Sequence, residues 1–201
     1  MRLGVIGGTF DPPHYGHLAL AESARVQLGL ARVLFVPAGE PPHKPARPIT
    51  AGHHRAAMVE MSIADNPAFA LSRVDLDRPG PHYTVDSLAL LQRQHPEAVL
   101  YFLIGGDSLA QFITWRDPAG IVRQAWLAVM ERPGYEPDLG ELEQAVPGLR
   151  ERLVWLDVPR LAISASDLRR RVGQGLPIRY LVPLSVEAYV REHGLYRVAS
   201  G

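Results

Sequence analysis

Short, continuously apolar runs recur along this chain, with stretches of helical period between them. The clearest are Arg2 to Ile6, Val33-Leu34-Phe35-Val36, Leu100-Tyr101-Phe102-Leu103-Ile104 and Trp126 to Met130. A strand that is apolar on successive residues has no face for water, so it belongs inside a sheet covered on both sides. Tyr15 to Leu28 places Leu18, Leu20, Ala21, Ala24 and Leu28 on a helix. Thr50 to Ala64 reads as a second helix with Thr50 as its N-cap, and Thr84 opens a third that ends near Gln94. Phe69 to Leu76 alternates as a strand, and Pro118 after Asp117 is a helix start. This alternation predicts an α/β fold, a Rossmann-like doubly wound parallel sheet.

The last third is different. Asp138 to Val146 is helical and polar, Leu153 to Leu156 reads as a short strand, and two helices follow Ser164 around Gly173 to Pro183. Residues 1–201 are read as a single domain, with 1–160 as the parallel-sheet core and 161–201 as a small helical C-terminal part. No internal repeat, low-complexity tract or long linker divides them.

Ligands of parallel sheets sit beyond the carboxyl ends of the strands. Gly7, Ala38, Gly105 and Glu131 each follow a strand, so the segments after them are expected to meet on one rim. The first of these is Gly7-Gly8-Thr9-Phe10-Asp11-Pro12-Pro13-His14-Tyr15-Gly16-His17. Its glycines let backbone N–H groups approach an anion, and the helix behind it offers a positive N-terminal end. His14 and His17, at i and i+3, project from one face if both lie in the first turn, and each imidazole can donate to a phosphate oxygen. Thr9 adds a hydroxyl. A zinc reading of His-x-x-His has no cysteine and no evident third ligand to support it, so no metal ligand is assigned. Neither the GxxxxGK[ST] nor the GxGxxG pattern is present.

A second polar segment, Ile163-Ser164-Ala165-Ser166-Asp167-Leu168-Arg169, places two serines and an arginine at a helix start. Ser164 or Ser166 can cap that helix, and Arg169 one turn in can clamp phosphate oxygens. Taken alone, the segment reads first as a capped helix with a solvated basic face, Arg169-Arg170-Arg171. Asp167 beside a phosphate site must point away.

Composition narrows the partners. Basic and acidic residues balance at 21 each, which offers no field for nucleic acid or a membrane surface. The chain lacks cysteine, a signal peptide and any apolar run long enough to span a bilayer, so a cytoplasmic protein with no nucleic-acid or membrane partner is expected. Lys44 is the one lysine among those 21 basic residues. It stands in the proline-framed loop Pro41-Pro42-His43-Lys44-Pro45, where a compact ammonium differs chemically from a guanidinium.

The first block resembles the GGTFDPxHxGH signature of the nucleotidyltransferase superfamily with (H/T)xGH motifs. Ile163 to Arg169 resembles its second motif, ISxTxxR, with Ser166 in place of threonine. Pro41-Pro42-His43-Lys44, Tyr83-Thr84, Gly105-x-Asp107-Ser108-Leu109, Thr114-Trp115, Arg132-Pro133-Gly134-Tyr135 and Gly194-Leu195-Tyr196-Arg197 are similar to one branch, the bacterial nicotinate-mononucleotide adenylyltransferases. That resemblance implies transfer of the adenylyl group of ATP to nicotinate mononucleotide, giving nicotinate adenine dinucleotide and pyrophosphate in NAD biosynthesis. It implies ATP binding by Gly7, Gly8, Thr9, Phe10, His14, His17, Gly105, Asp107, Ile163, Ser164, Ser166 and Arg169, and catalytic roles for His14, His17, Lys44 and Arg169. Lys44, Thr84, Trp115, Arg116 and Arg132 would hold the mononucleotide, with Trp115 against the pyridine ring. Core packing is an equal reading of Trp115, as is a helix N-cap for Asp107. Magnesium would accompany ATP with few protein ligands. Use of nicotinamide mononucleotide, or of both rings, is the alternative within enzymes; a non-catalytic nucleotide-sensing module is the alternative outside them. A homo-oligomer is left open.

Overall fold

In a computed structural model, which describes residues 1–39, 49–131 and 137–197, the four apolar runs are neighbouring strands of one sheet. They are β1 (Arg2–Gly8), β2 (Arg32–Pro37), β4 (Val99–Gly105) and β5 (Ala125–Met130), with β3 (Phe69–Leu71) and β6 (Leu153–Leu156) at the edges. Every pairing is parallel and the order is β3-β2-β1-β4-β5-β6. The chain moves outward from β1 to β3 and then returns to lay β4 on the other side of β1. The order therefore reverses between β1 and β4, and the crevice beyond their carboxyl ends is where such sheets take ligands.

The uninterrupted apolar runs follow from burial on two faces. Along β4, Leu100, Phe102 and Ile104 join one core cluster with Leu3, Val5 and Leu127. Tyr101 and Leu103 join a second with Ile6, Phe35 and Ala128. Against these faces lie α1 (Tyr15–Leu28), α2 (Gly52–Ile63), α3 (Thr84–Gln94) and α5 (Pro118–Gln124), with the short α4 (Gly106–Ala110) at the end of β4. A third cluster, built on Met58 of α2, receives the apolar sides of α7 (Ala165–Gly173) and α8 (Leu184–Glu192). The polar helix expected at Asp138 to Val146 is α6 (Leu139–Ala145), whose start is capped by the Asp138 carboxylate.

Three local expectations need correction. The strand read from Phe69 to Leu76 ends at Leu71, because Arg73 and Asp77 close a turn through an ion pair of 2.8 Å and backbone bonds to Arg73 O. Val74 still packs on the core, which explains the misleading alternation. Thr50 does not cap α2. Ala51 holds that position with no side-chain bond, while the Thr50 carbonyl accepts from Arg55 Nε at 2.8 Å and the Thr50 amide donates to the Asp11 carboxylate at 3.4 Å. His14 is the N-cap of α1, one step before the first turn in which it was expected.

Candidate active site

At the carboxyl ends of β1 and β4 a cleft of about 340 Å³ opens between the first loop, the start of α1, the start of α4 and the segment before α7. Gly7, Thr9, Phe10, His14, His17, Gly105, Asp107, Ile163 and Ser164 all line it, so residues more than 140 positions apart in sequence share one cavity. A β-carbon at Gly105 would meet the Asp107 carboxylate, so glycine leaves that side chain room against the end of β4. Asp107 sits in the first turn of α4 while Gly105 occupies the cap position, so the N-cap reading of Asp107 is replaced.

The two histidines of the first motif are tied together at the start of α1. The His17 backbone N–H donates to the His14 carbonyl at 2.9 Å, and the His14 backbone N–H donates to His17 Nδ1 at 3.2 Å. Their rings stack at 3.8 Å between centroids, and Phe10 meets His17 edge-on at 4.9 Å. Because Nδ1 of His17 accepts, the proton of its neutral ring belongs on Nε2, which leaves that nitrogen a donor. The capping geometry therefore selects the tautomer a phosphate oxygen needs.

Ser164 caps α7 by accepting from the Asp167 amide at 3.2 Å. Asp167 does turn away from the cleft: its carboxylate pairs with Arg170 along the exposed side of the same helix. Arg169 runs the other way. Its guanidinium donates to the Asp11 carbonyl at 2.6 Å and to Ser166 Oγ at 2.9 Å, which joins the second motif to the first across the domain. Ser166 thus orients Arg169. Gly8 ends β1, with its carbonyl accepting from Ala38 N at 2.8 Å.

A second cleft, of about 560 Å³, adjoins the first through a shared residue, Trp115. Thr84 and Arg116 line it, together with His82 and Tyr83. One side of the Trp115 indole packs near Phe102 and Phe112, at 6.1 and 5.5 Å between centroids, so this residue is core and cleft wall at once. The Arg116 guanidinium lies 5.3 Å from the Tyr83 ring centre, a cation–π distance. Lys44 and Arg132 fall outside the described residues.

Asp11, Arg55 and Tyr196 were not given roles by sequence reasoning, yet they brace the first loop. Asp11 is 1% exposed, and its carboxylate accepts from the Tyr196 hydroxyl at 2.7 Å. Arg55, buried in α2, donates to Thr9 O at 2.9 Å. Burial holds the Arg55 guanidinium below its ordinary pKa, and the Asp11 charge pulls the other way. The signal available was Arg55 itself, a charge inside a helix face otherwise made of Ala56, Met58 and Val59.

Residues 5–171 match the cytidylyltransferase-like family. The chain is 54% identical over 196 residues to a probable nicotinate-nucleotide adenylyltransferase of Thermomicrobium roseum, covering 98% of this chain and 92% of that one. This chain belongs to the cytidylyltransferase-like family, in its nicotinate-nucleotide adenylyltransferase branch. A second branch member, from Roseiflexus sp., is 50% identical over 195 residues, covering 97% of this chain and 98% of the relative. The fold of the branch is also that of a solved Plasmodium falciparum nicotinic acid mononucleotide adenylyltransferase complexed with NaAD, at a TM-score of 0.79 and 20% identity over 97% of each chain. Among the described residues no helix is long and apolar enough to cross a membrane, and no three His, Cys, Asp or Glu residues cluster to hold a metal ion.

Proposed function

We propose that this chain transfers the adenylyl group of ATP to nicotinate mononucleotide, with the triphosphate at the β1–β4 crevice and the pyridine ring in the cleft beside Trp115. The observation that carries the reading is the pair of adjoining clefts. One is ringed by phosphate-type donors from both ends of the chain, the other has a helix N-terminus, an aromatic wall and an arginine. A phosphate oxygen of the mononucleotide bonds to the α-phosphorus of ATP as the bond to the β-phosphate oxygen breaks. The products are nicotinate adenine dinucleotide and pyrophosphate.

No protein nucleophile is required, because the attacking oxygen is already anionic at neutral pH. The protein's work is alignment and neutralisation of the charge that grows on the α-phosphate and the leaving group. His17, through Nε2–H, and His14 serve the α-phosphate side, while Ser164 and the first turn of α7 serve the leaving pyrophosphate. Arg169 holds the first loop and adds positive charge close to it. The same reading assigns Lys44 to the reacting phosphates and Arg132 to the mononucleotide. Thr84 opens α3, whose free amides suit the pyridine carboxylate. Magnesium enters with the nucleotide as MgATP.

The test is product identification after incubation with MgATP and, separately, nicotinate or nicotinamide mononucleotide. Dinucleotide and pyrophosphate in equal amounts, faster with the nicotinate form, is the expected result. Preference for the amide would move the chain to the other pyridine nucleotide, and ATP binding with no turnover on either would make it a nucleotide sensor.

A further inference from the structure

The segment after α8 has no part in the reaction as described, yet through Tyr196 it reaches the first loop. After α8 the chain turns at Gly194, where φ is 60°, and the Leu195 amide bonds back to Val190 O at 3.0 Å. Tyr196 then takes φ of 64°, a left-handed conformation that a β-carbon disfavours. That turn delivers its hydroxyl to Asp11 Oδ1 at 2.7 Å, with Met58 Sδ 3.9 Å away. The other carboxylate oxygen of Asp11 accepts from the Thr50 amide at 3.4 Å. Burial, then the Asp11 charge, raises the Tyr196 pKa well above its ordinary value, so the hydroxyl stays a donor across the working range.

Asp11 is the middle of the loop that runs from Thr9 to His14. Its carbonyl holds Arg169 and its carboxylate holds the tail, while Arg55 holds the carbonyl two residues before it. We propose that Tyr196 is a positioning residue for the nucleotide: through Asp11 it fixes the Thr9–His14 loop, so that docking of the C-terminal tail sets the affinity for ATP. This rests on the reading that the loop binds the ATP phosphates.

Tyr189 supplies the control. It sits on α8, and its hydroxyl also crosses to α2, meeting His54 Nδ1 at 2.9 Å, with no bond to the first loop. Binding of the magnesium complex of adenosine 5′-(α,β-methylene)triphosphate, and KM for each substrate, are measured for wild type, Tyr196→Phe, Tyr189→Phe, Asp11→Asn and His17→Ala. Tyr196→Phe is expected to weaken analogue binding and raise KM for ATP about 10-fold, while KM for nicotinate mononucleotide stays within about twofold. Tyr189→Phe should stay within about twofold on both substrates. Asp11→Asn, which keeps an acceptor for the tyrosine, should bind the analogue more tightly than Tyr196→Phe. Unchanged analogue binding in Tyr196→Phe beside weakened binding in His17→Ala overturns the proposal alone. So do equal losses in the two tyrosine variants, or parallel rises in both KM values. Unchanged binding in His17→Ala overturns the phosphate reading of the loop, and the proposal with it.

Discussion

His17 carries two jobs on two nitrogens, and side chains of different length can separate them. Nδ1 accepts the His14 amide at the cap of α1, at 3.2 Å, which puts the ring proton on Nε2. In His17→Asn the amide oxygen falls where Nδ1 was, so the cap survives and the distal donor is gone. In His17→Gln the amide nitrogen reaches the place of Nε2 while the cap is lost. A helix cap is worth about 1 kcal/mol, which for a chain of this size moves the melting midpoint by about 2–4 °C. Removing one donor that faces developing charge costs about 10²–10³ in kcat, or about 2.7–4 kcal/mol of transition-state stabilisation. The two effects are thus read on different instruments. Asparagine should melt like wild type and turn over about 10²–10³ more slowly. Glutamine should melt about 2–4 °C lower and lose less rate, and alanine should show both losses. Differential scanning fluorimetry and pyrophosphate release on the four proteins decide it. An asparagine variant with near-wild-type turnover, or a glutamine variant slower than asparagine, would refute the assignment of Nε2.

Lys44→Arg keeps the charge but replaces a compact ammonium by a planar fork, and should lower kcat by about 10-fold in the same release assay; full activity would make the lysine incidental. Trp115→Ala should raise KM for the mononucleotide more than KM for ATP, by an amount matching a lost stacking contact of about 1–3 kcal/mol, and steady-state kinetics on each substrate checks it. His54 has its pKa lowered from 6.5, first by burial and then by His53 and His193 nearby. The unfolded chain therefore takes up this proton first as pH falls, and the stability present above about 6.5 is lost toward the lower folded value. Melting midpoints between pH 7.5 and 5.5 should fall more steeply for wild type than for His54→Gln.

The sheet was legible because its central strands are buried on both faces, and apolar residues without alternation leave few other placements. Its edges were not. β3 has three half-buried residues, and the chain after it mimics a strand only because Val74 faces the core from a turn. The rim was legible for the same topological reason: the glycines that close β1 and β4, Gly8 and Gly105, lie on either side of the order reversal, so the segments after them had to meet. What a sequence read locally could not supply was the bracing of the loop. Asp11 was visible as a motif residue, but its partners are Arg169, Thr50 and Tyr196, separated from it by up to 185 positions. Thr50 was misread for a related reason. A threonine before a helix is usually a cap, and here its backbone is what is engaged, the carbonyl by Arg55 and the amide by the distant Asp11.

Those distant partners also explain how a loop of glycine, proline and buried carboxylate comes to present donors instead of acceptors. Thr9 O and Asp11 O are both engaged by guanidinium groups, from α2 and α7 respectively. In a trans peptide the carbonyl and the following N–H point in opposite directions, so tying Thr9 O to Arg55 turns the Phe10 amide the other way. The peptide after Asp11 leads into proline and has no N–H to turn, which leaves its carbonyl as the natural anchor for Arg169. Two arginines thus draw the loop's acceptors onto the protein and leave donors for a ligand. The Asp11 carboxylate, buried in the same loop, offsets part of the charge that the guanidinium groups bring. On the proposed reading, anion binding here depends as much on which side of the backbone is occupied as on the histidines of the motif.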